Sequence, residues 1–350
     1  MFYSYQRDGW DKQVSCGNIS NIWTLNKIRQ KIFSVKGDQD FNETALEIFY
    51  FQYTNNPVYR SFVDKMRLSP HKIQRVEDVP FLPVEFFKTS RVVSFSGEPE
   101  KIFRSSGTTG MTRSSHEVMD LALYRESLLN TFRLFYGEIS DYCVVALIPS
   151  FTKKPDSSLA FMVNELILAS GSPESGFYPG ETDRLGLVLK RARDSGRKPL
   201  LFGLSHALLD LAEEHRLSLD GTIVMETGGM KGRKIEITRQ ELHRILCTSF
   251  RVGHIHSEYG MTELLSQSYS SGGGRFLCPP WLEVFIRQLN DPLSGAAEGE
   301  TGGINFIDLA NLYSCSFLAT GDLGRKYKDG SFEVLGRFDA SDLRGCNLML

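Results

Sequence analysis

Two short stretches hold the residue types that could do chemistry: Ser105-Ser106-Gly107-Thr108-Thr109-Gly110 and Tyr259-Gly260-Met261-Thr262-Glu263. Phosphate oxygens need several donors at close range, and glycines let backbone N–H groups approach with no Cβ in the way. Ser105, Ser106, Thr108 and Thr109 add hydroxyl donors to Gly107 and Gly110. In the second stretch Tyr259 offers a ring face for a base and Thr262 a hydroxyl for phosphate. Glu263 offers a carboxylate for Mg²⁺, a hard cation that takes carboxylate and phosphate oxygens. Together these are the requirements of ATP and magnesium. No Gly-Lys-Ser/Thr follows the first stretch, so it is not the P-loop of kinases and GTPases. Each stretch alone has a plainer explanation: a Gly/Thr hairpin turn for the first, a helix start favoured by Glu263 for the second.

The elements that must position these stretches alternate along the chain. A helix is expected over Asp120 to Tyr136 and a buried strand over Cys143 to Ile148. A helix over Ser158 to Leu168 and a strand over Pro199 to Phe202 follow, then a helix over Ser205 to His215. Ile223 to Met225, a helix over Thr238 to Thr248 and a strand over His254 to His256 continue the series. Such alternation argues for a mostly parallel sheet with helices on both faces. Ligands bind at the carboxyl ends of such strands, and the apolar run Val252 to Ile255 leads straight into the second stretch. Both stretches are expected to follow strands of one sheet. His254 and His256, alternating on a strand, are expected to point to opposite faces.

Upstream, Asn42 is placed to cap a helix through Thr44 to Tyr53, and Val79 to Pro83 must be extended because two prolines restrict it. After Gly274 the pattern changes to strands at Trp281 to Ile286, Gly303 to Ile307 and Ser331 to Val334. The expected organisation is a helical segment over 1–100 packed on the core, an α/β nucleotide-binding core over 101–274, and a β-rich region over 275–350.

Composition excludes several classes. A chain of 350 residues with 41% hydrophobic and 23% charged content suits a globular protein. A net charge of −2 gives no electrostatic case for nucleic acid. No run of about 18 apolar residues marks a membrane span, and Arg7, Asp8 and Asp11 argue against a signal peptide, so a cytoplasmic location is expected. The cysteines, Cys16, Cys143, Cys247, Cys278, Cys315 and Cys346, fit no zinc framework and read by default as small buried hydrophobes.

Four motifs stand in an order that resembles the adenylate-forming superfamily, which includes acyl-CoA synthetases and nonribosomal adenylation domains. They are the Ser105–Gly110 loop, Tyr259–Glu263, Thr320-Gly321-Asp322 and Gly336-Arg337-Phe338-Asp339. Gly299-Glu300-Thr301-Gly302-Gly303 is similar to the family's Gly-Glu turn, and the match runs from about Lys101 onward. The resemblance implies that Ser105, Ser106, Gly107, Thr108, Thr109 and Gly110 hold the β- and γ-phosphates. It implies adenine against Tyr259 and Gly260, phosphate at Thr262, Mg²⁺ at Glu263, and ribose at Asp322 and Arg337. Glu226-Thr227-Gly228-Gly229-Met230 resembles, less closely, the glycine loop that lines adenine. Taken singly, Asp322 reads as a turn residue and Arg337 as half of a surface ion pair.

In most of that superfamily a lid of roughly a hundred residues follows the Gly-Arg-x-Asp hinge and carries a lysine. This sequence ends at Leu350, so a large adenylate-forming domain without the lid is expected. One branch fits, the LuxE-type acyl-protein synthetases, in which the acyl group passes from adenylate to a cysteine near the C-terminus. Cys346 occupies such a place, on the tail Arg344-Gly345-Cys346-Asn347-Leu348-Met349-Leu350. The resemblance thus implies ATP- and Mg²⁺-dependent activation of a fatty acid, with Cys346, Thr262 and Glu263 catalytic. The acyl group would go to a partner, an acyl reductase or a carrier protein. Two alternatives stand beside it: an acyl-CoA or acyl-carrier-protein ligase using an external thiol, and a nucleotide-binding subunit without catalysis.

Overall fold

The computed structural model describes residues 19–106, 112–214, 217–228 and 237–338. Strands run in chain order as β1 (Leu82–Pro83), β2 (Lys101–Arg104), β3 (Ser115–Val118), β4 (Tyr142–Leu147) and β5 (Gly176–Phe177). They continue as β6 (Lys198–Leu204), β7 (Ile223–Thr227), β8 (His256–Tyr259), β9 (Ser268–Ser270) and β10 (Arg275–Phe276). The last four are β11 (Leu282–Arg287), β12 (Gly302–Asp308), β13 (Phe317–Lys326) and β14 (Phe332–Arg337).

All six residues of β4, Tyr-Cys-Val-Val-Ala-Leu, are buried, as a strand covered by helices on both faces must be. It pairs in parallel with β6, Val144 opposite Leu200, and the series extends through β7 to β8. The sheet order is β5-β4-β6-β7-β8-β9, with β9 antiparallel to β8 at the edge. Side chains start the flanking helices. Asp120 accepts from the Leu123 amide at 2.9 Å to cap Leu121–Tyr136. Ser157 and Thr238 do the same for Ser158–Ser170 and Arg239–Phe250.

The second sheet, β10-β14-β13-β12-β11, is antiparallel, and β1 adds to β13 in parallel. At Gly302 any Cβ would lie 2.1 Å from the Arg287 carbonyl oxygen, so the close β11–β12 crossing requires glycine there. The expected α/β class with a mostly parallel sheet and a separate β-rich region is what the chain adopts.

Several local expectations are corrected. The helix expected from Asn42 begins a turn earlier and spans Asp38–Asn55, so Asn42 lies inside it. The residues between helix Arg239–Phe250 and β8 are not a strand; β8 begins only at His256 and ends at Tyr259, the first residue of the second chemical stretch. His254 therefore precedes the strand, and its ring lies 4.9 Å from that of His256 rather than on the opposite face. Among the described residues, no group of three or more His, Cys, Asp or Glu side chains is arranged to hold a metal ion. The Ser105–Gly110 loop does not follow a strand of the parallel sheet; it joins β2 to β3, an antiparallel pair of its own.

The helix Asp38–Asn55 is tied to the second sheet by buried polar bonds. The Gln52 amide donates to the carbonyls of Asn311 (3.0 Å) and Leu312 (2.9 Å) and accepts from the Ser316 amide at 2.9 Å. Asn56 donates to the Ser314 carbonyl at 3.0 Å while its Oδ1 caps helix Pro57–Lys65 at Tyr59. Gln52→Ala strands buried backbone groups as well as losing these bonds, and should cost about 2–4 kcal/mol. Urea unfolding checks this; a loss under about 1 kcal/mol would mean that water satisfies those carbonyls instead.

Candidate active site

Tyr259 ends β8 at the carboxyl edge of the parallel sheet, where open α/β sheets take ligands. Its ring packs against Phe306 (5.6 Å) and edge-on against Phe276 and Phe332, each 6.0 Å away, so residues of the second sheet hold it. Its hydroxyl donates to Asp322 Oδ2 at 2.7 Å. Burial, then the neighbouring Asp322 charge, pushes the phenol well above its ordinary range, so it stays protonated and donating. Asp322 lies on β13, directly opposite Arg337 on β14, and Arg337 Nε donates to Asp322 Oδ1 at 3.1 Å. The two sheets thus meet at Tyr259–Asp322–Arg337. Asp322 is almost fully buried, whereas the Arg337 side chain is 62% exposed and has donors beyond Nε that bond to none of the described residues.

After Tyr259 the chain turns sharply, with the Leu264 amide donating to the Met261 carbonyl at 3.2 Å. Gly260 is confined because a Cβ there would sit 2.6 Å from Glu258 Oε1. The turn presents Thr262 half-buried and Glu263 at 5% exposure. Burial raises the Glu263 carboxyl; the Ser114 side chain, Glu263's own backbone and the charges of Arg337 and Lys88 pull it back. A buried carboxylate at this edge is an oxygen ligand of the kind a divalent ion takes. Mg²⁺ characteristically takes one or two carboxylates plus substrate phosphates.

Ser114 carries the connection to the hydroxyl loop. Its amide donates to Ser105 Oγ at 2.9 Å, and its carbonyl accepts from the Ser105 amide at 3.1 Å. Arg113 closes the loop base, donating to the Ser105 carbonyl at 2.5 Å and pairing with Asp156 at 2.9 Å. Ser105 and Ser106 therefore stand beside the Glu263 turn. Gly107, Thr108, Thr109 and Gly110 lie outside the described residues, as do Gly229 and Cys346. Gly228, at φ 75°, ends β7 in a conformation that favours glycine and accepts from Ser205 Oγ at 3.1 Å.

Sequence reasoning passed over Ser114 and Lys88. A serine closing the hydroxyl loop could have been suspected from its place just beyond the glycines. Lys88, on the short helix Phe86–Thr89, carries no signal in its own stretch and reaches the site only because β1 adds to β13. Two buried carboxyls behind the edge were missed as well. Glu226 is held below the usual range despite its burial, by hydrogen bonding to His243, the charge of Arg239 (3.2 Å) and the Ser205 hydroxyl (2.7 Å). Glu258 has the Thr227 hydroxyl as its partner, and burial raises it to about 7.

With that geometry in view, comparison with known proteins is direct. The model of the family described as "Acyl-protein synthetase, LuxE" matches residues 31–126. A long-chain-fatty-acid–luciferin-component ligase of Aliivibrio fischeri is 22% identical over 338 residues, covering 87% of this chain and 86% of that protein. The chain resembles the LuxE acyl-protein synthetases. Among solved structures, a 2-hydroxyisobutyryl-CoA ligase in the postadenylation state with its acyl-AMP superposes with TM-score 0.66 at 16% identity. That match covers 87% of this chain and 69% of the other. ATP-bound MatB from Rhodopseudomonas palustris gives 0.52 at 18%, covering 84% and 61%. The fold is that of the adenylate-forming ligases, and the expectation of a LuxE-like, ATP-dependent ligase agrees with family and fold alike. Among the described residues, no helix is long and apolar enough to cross a membrane.

The raised Glu258 carboxyl gives a pH test. Its folded value, about 7, exceeds the ordinary 4.5. Its contribution to stability is therefore present in full below the ordinary value and is lost as pH rises through the folded one. Glu258→Gln removes that loss. In urea unfolding the variant should gain on wild type by an order of one to a few kcal/mol between about pH 5 and about pH 8. Parallel pH dependences would show that Glu258 is not held in its acid form.

Proposed function

We propose that this chain activates a fatty or related long-chain carboxylic acid with ATP and Mg²⁺ and then holds the acyl group as a thioester on Cys346. The observation that carries the first half is that β3 touches both sides of the site, Ser114 bonding Ser105 of the hydroxyl loop and His116 bonding the Thr262 carbonyl in the turn that carries Glu263, beside Tyr259–Asp322–Arg337. A carboxylate is a poor acyl donor, because its charge repels nucleophiles and its leaving group would be oxide. One carboxylate oxygen attacks the α-phosphorus of ATP, the bond to the bridging oxygen breaks, and pyrophosphate leaves.

The chain's residues have distinct parts in this scheme. The Ser105–Gly110 loop binds the β- and γ-phosphates. The Tyr259 ring packs against adenine, Asp322 accepts from the ribose hydroxyls, and Arg337 holds Asp322 in place while donating outward. Thr262 reaches phosphate, and Glu263 with the nucleotide phosphates holds Mg²⁺, which supplies neutralisation of the charge gathering on the leaving pyrophosphate. The Cys346 thiol gives up its proton to solvent, the resulting thiolate attacks the carbonyl carbon, and the bond to AMP breaks so that AMP leaves with the carboxylate oxygen. The name of the Aliivibrio relative supports a long-chain acid as substrate. An acyl reductase or carrier protein, in the cytoplasm, would collect the acyl group.

Labelled pyrophosphate exchange into ATP, dependent on a fatty acid, tests the adenylation step. Glu263→Ala should lower exchange more than about tenfold, over 1.4 kcal/mol of transition-state stabilisation. Intact exchange in the variant would remove Glu263 from the metal site. Cys346→Ser should still form acyl-adenylate but retain no labelled acyl group through a hydroxylamine-sensitive bond. Unchanged consumption of coenzyme A by that variant would favour the external-thiol ligase instead.

A further inference from the structure

Two buried side chains from separate elements hold the turn that carries Glu263. His116, on β3, places Nδ1 2.7 Å from the Thr262 carbonyl oxygen, and Asn311 Nδ2 donates to the Glu263 carbonyl at 2.7 Å. Those carbonyls belong to the two peptide planes that flank the Glu263 Cα. Because each peptide is planar, fixing both planes fixes the backbone dihedrals of Glu263 and the direction of its Cα–Cβ bond. Both anchors are fully buried, at 0% exposure. The His116 ring is further held edge-on by Phe87, 5.6 Å away.

The hydrogen-bond chemistry assigns the hydrogens. A carbonyl only accepts, so His116 Nδ1 must carry its proton; burial, pushing this imidazole down to about 4, keeps it neutral and leaves Nε2 as an acceptor. Asn311 Nδ2 donates to Glu263 and, at 3.0 Å, to the Cys315 carbonyl, so its Oδ1 is an acceptor too. Both remaining atoms, His116 Nε2 and Asn311 Oδ1, are buried with no hydrogen-bond partner among the described residues.

We propose that His116, as the neutral Nδ1–H tautomer, and Asn311 are positioning residues that set the Glu263 carboxylate for magnesium. The magnesium part rests on the adenylation reading; the tautomer does not. The arrangement also means that β3, which closes the hydroxyl loop through Ser114, meets the Glu263 turn at a second point. The phosphate side and the metal side of the site therefore share one frame.

The test uses the full chain and two readouts. Long-range proton–nitrogen NMR of histidine-labelled wild type, with His116→Asn to assign the signal, should show His116 protonated at Nδ1 and bare at Nε2 at neutral pH. Protonation at Nε2, or at both nitrogens, overturns the proposal and needs no turnover to be seen. In pyrophosphate exchange, His116→Leu should raise the Mg²⁺ concentration for half-maximal rate at least fivefold. His116→Asn, whose Nδ2 donor replaces Nδ1, should stay within twofold of wild type. Equal Mg²⁺ dependence in both variants overturns the positioning role. Absence of exchange in wild type would defeat the adenylation reading and the metal part with it, while the tautomer readout still decides the rest.

Discussion

Buried backbone must find partners, and the segment from Asp308 to Ser316 is where that constraint shapes this protein. The segment is buried against both the parallel sheet's edge and the helix Asp38–Asn55, so its own groups and its neighbours' are closed to water. Asp308 accepts from the amides of Leu265 (2.8 Å) and Ser266 (3.0 Å) and from the Ser266 hydroxyl (2.6 Å). Burial still raises its carboxyl to about 6. Asn311 holds a carbonyl two residues upstream of Leu265, that of Glu263, and Gln52 holds the Asn311 carbonyl. The catalytic-looking turn is therefore the outer layer of a polar network whose inner layer is structural. A change at Gln52 and a change at Asn311 should be felt at the same turn, because one carries the other.

The same constraint explains why the two sheets cooperate. Tyr259 belongs to the parallel sheet but lies among phenylalanines of the antiparallel one, and its hydroxyl meets an aspartate there. Arg239 makes a parallel tie deeper down, pairing with Glu226 and donating to the Val334 carbonyl at 3.0 Å. The proposed function divides its groups between the two sheets, Tyr259 and Glu263 at the edge of one and Asp322 and Arg337 on the other.

Much of this was legible in the sequence, and the parts that were not share a reason. Buried runs such as Cys143 to Leu147 declare a parallel strand through composition alone. Asp120, Ser157 and Thr238 declare helix starts through local hydrogen bonding. Tyr259 to Glu263 is recognisable because it is short and chemically crowded, whereas Asp322 and Arg337 stood out only through the order of motifs that resembles the adenylate-forming superfamily. Asn42 misled because a cap needs the right backbone as well as the right side chain, and the extended Gly37 already stands at the cap position one turn earlier. The strand before Tyr259 was placed too early because Val252 and Ile255 are apolar, whereas β8 is a polar strand buried by its partners. His116, Asn311 and Lys88 could not be read at all. Their places come from contacts between segments distant in sequence, 146 residues apart for His116 and Thr262 and 48 for Asn311 and Glu263, and no local spacing encodes those.

The central claim is that a carboxylate attacks the α-phosphorus of ATP at the edge where Tyr259, Glu263 and Asp322 converge. Bond cleavage reports on it directly. A long-chain fatty acid labelled with heavy oxygen in its carboxylate, turned over with ATP, Mg²⁺ and the full chain, should deliver one labelled oxygen to AMP, read by mass spectrometry of the nucleotide. Label in inorganic phosphate or pyrophosphate, or AMP released without label, would contradict attack at the α-phosphorus.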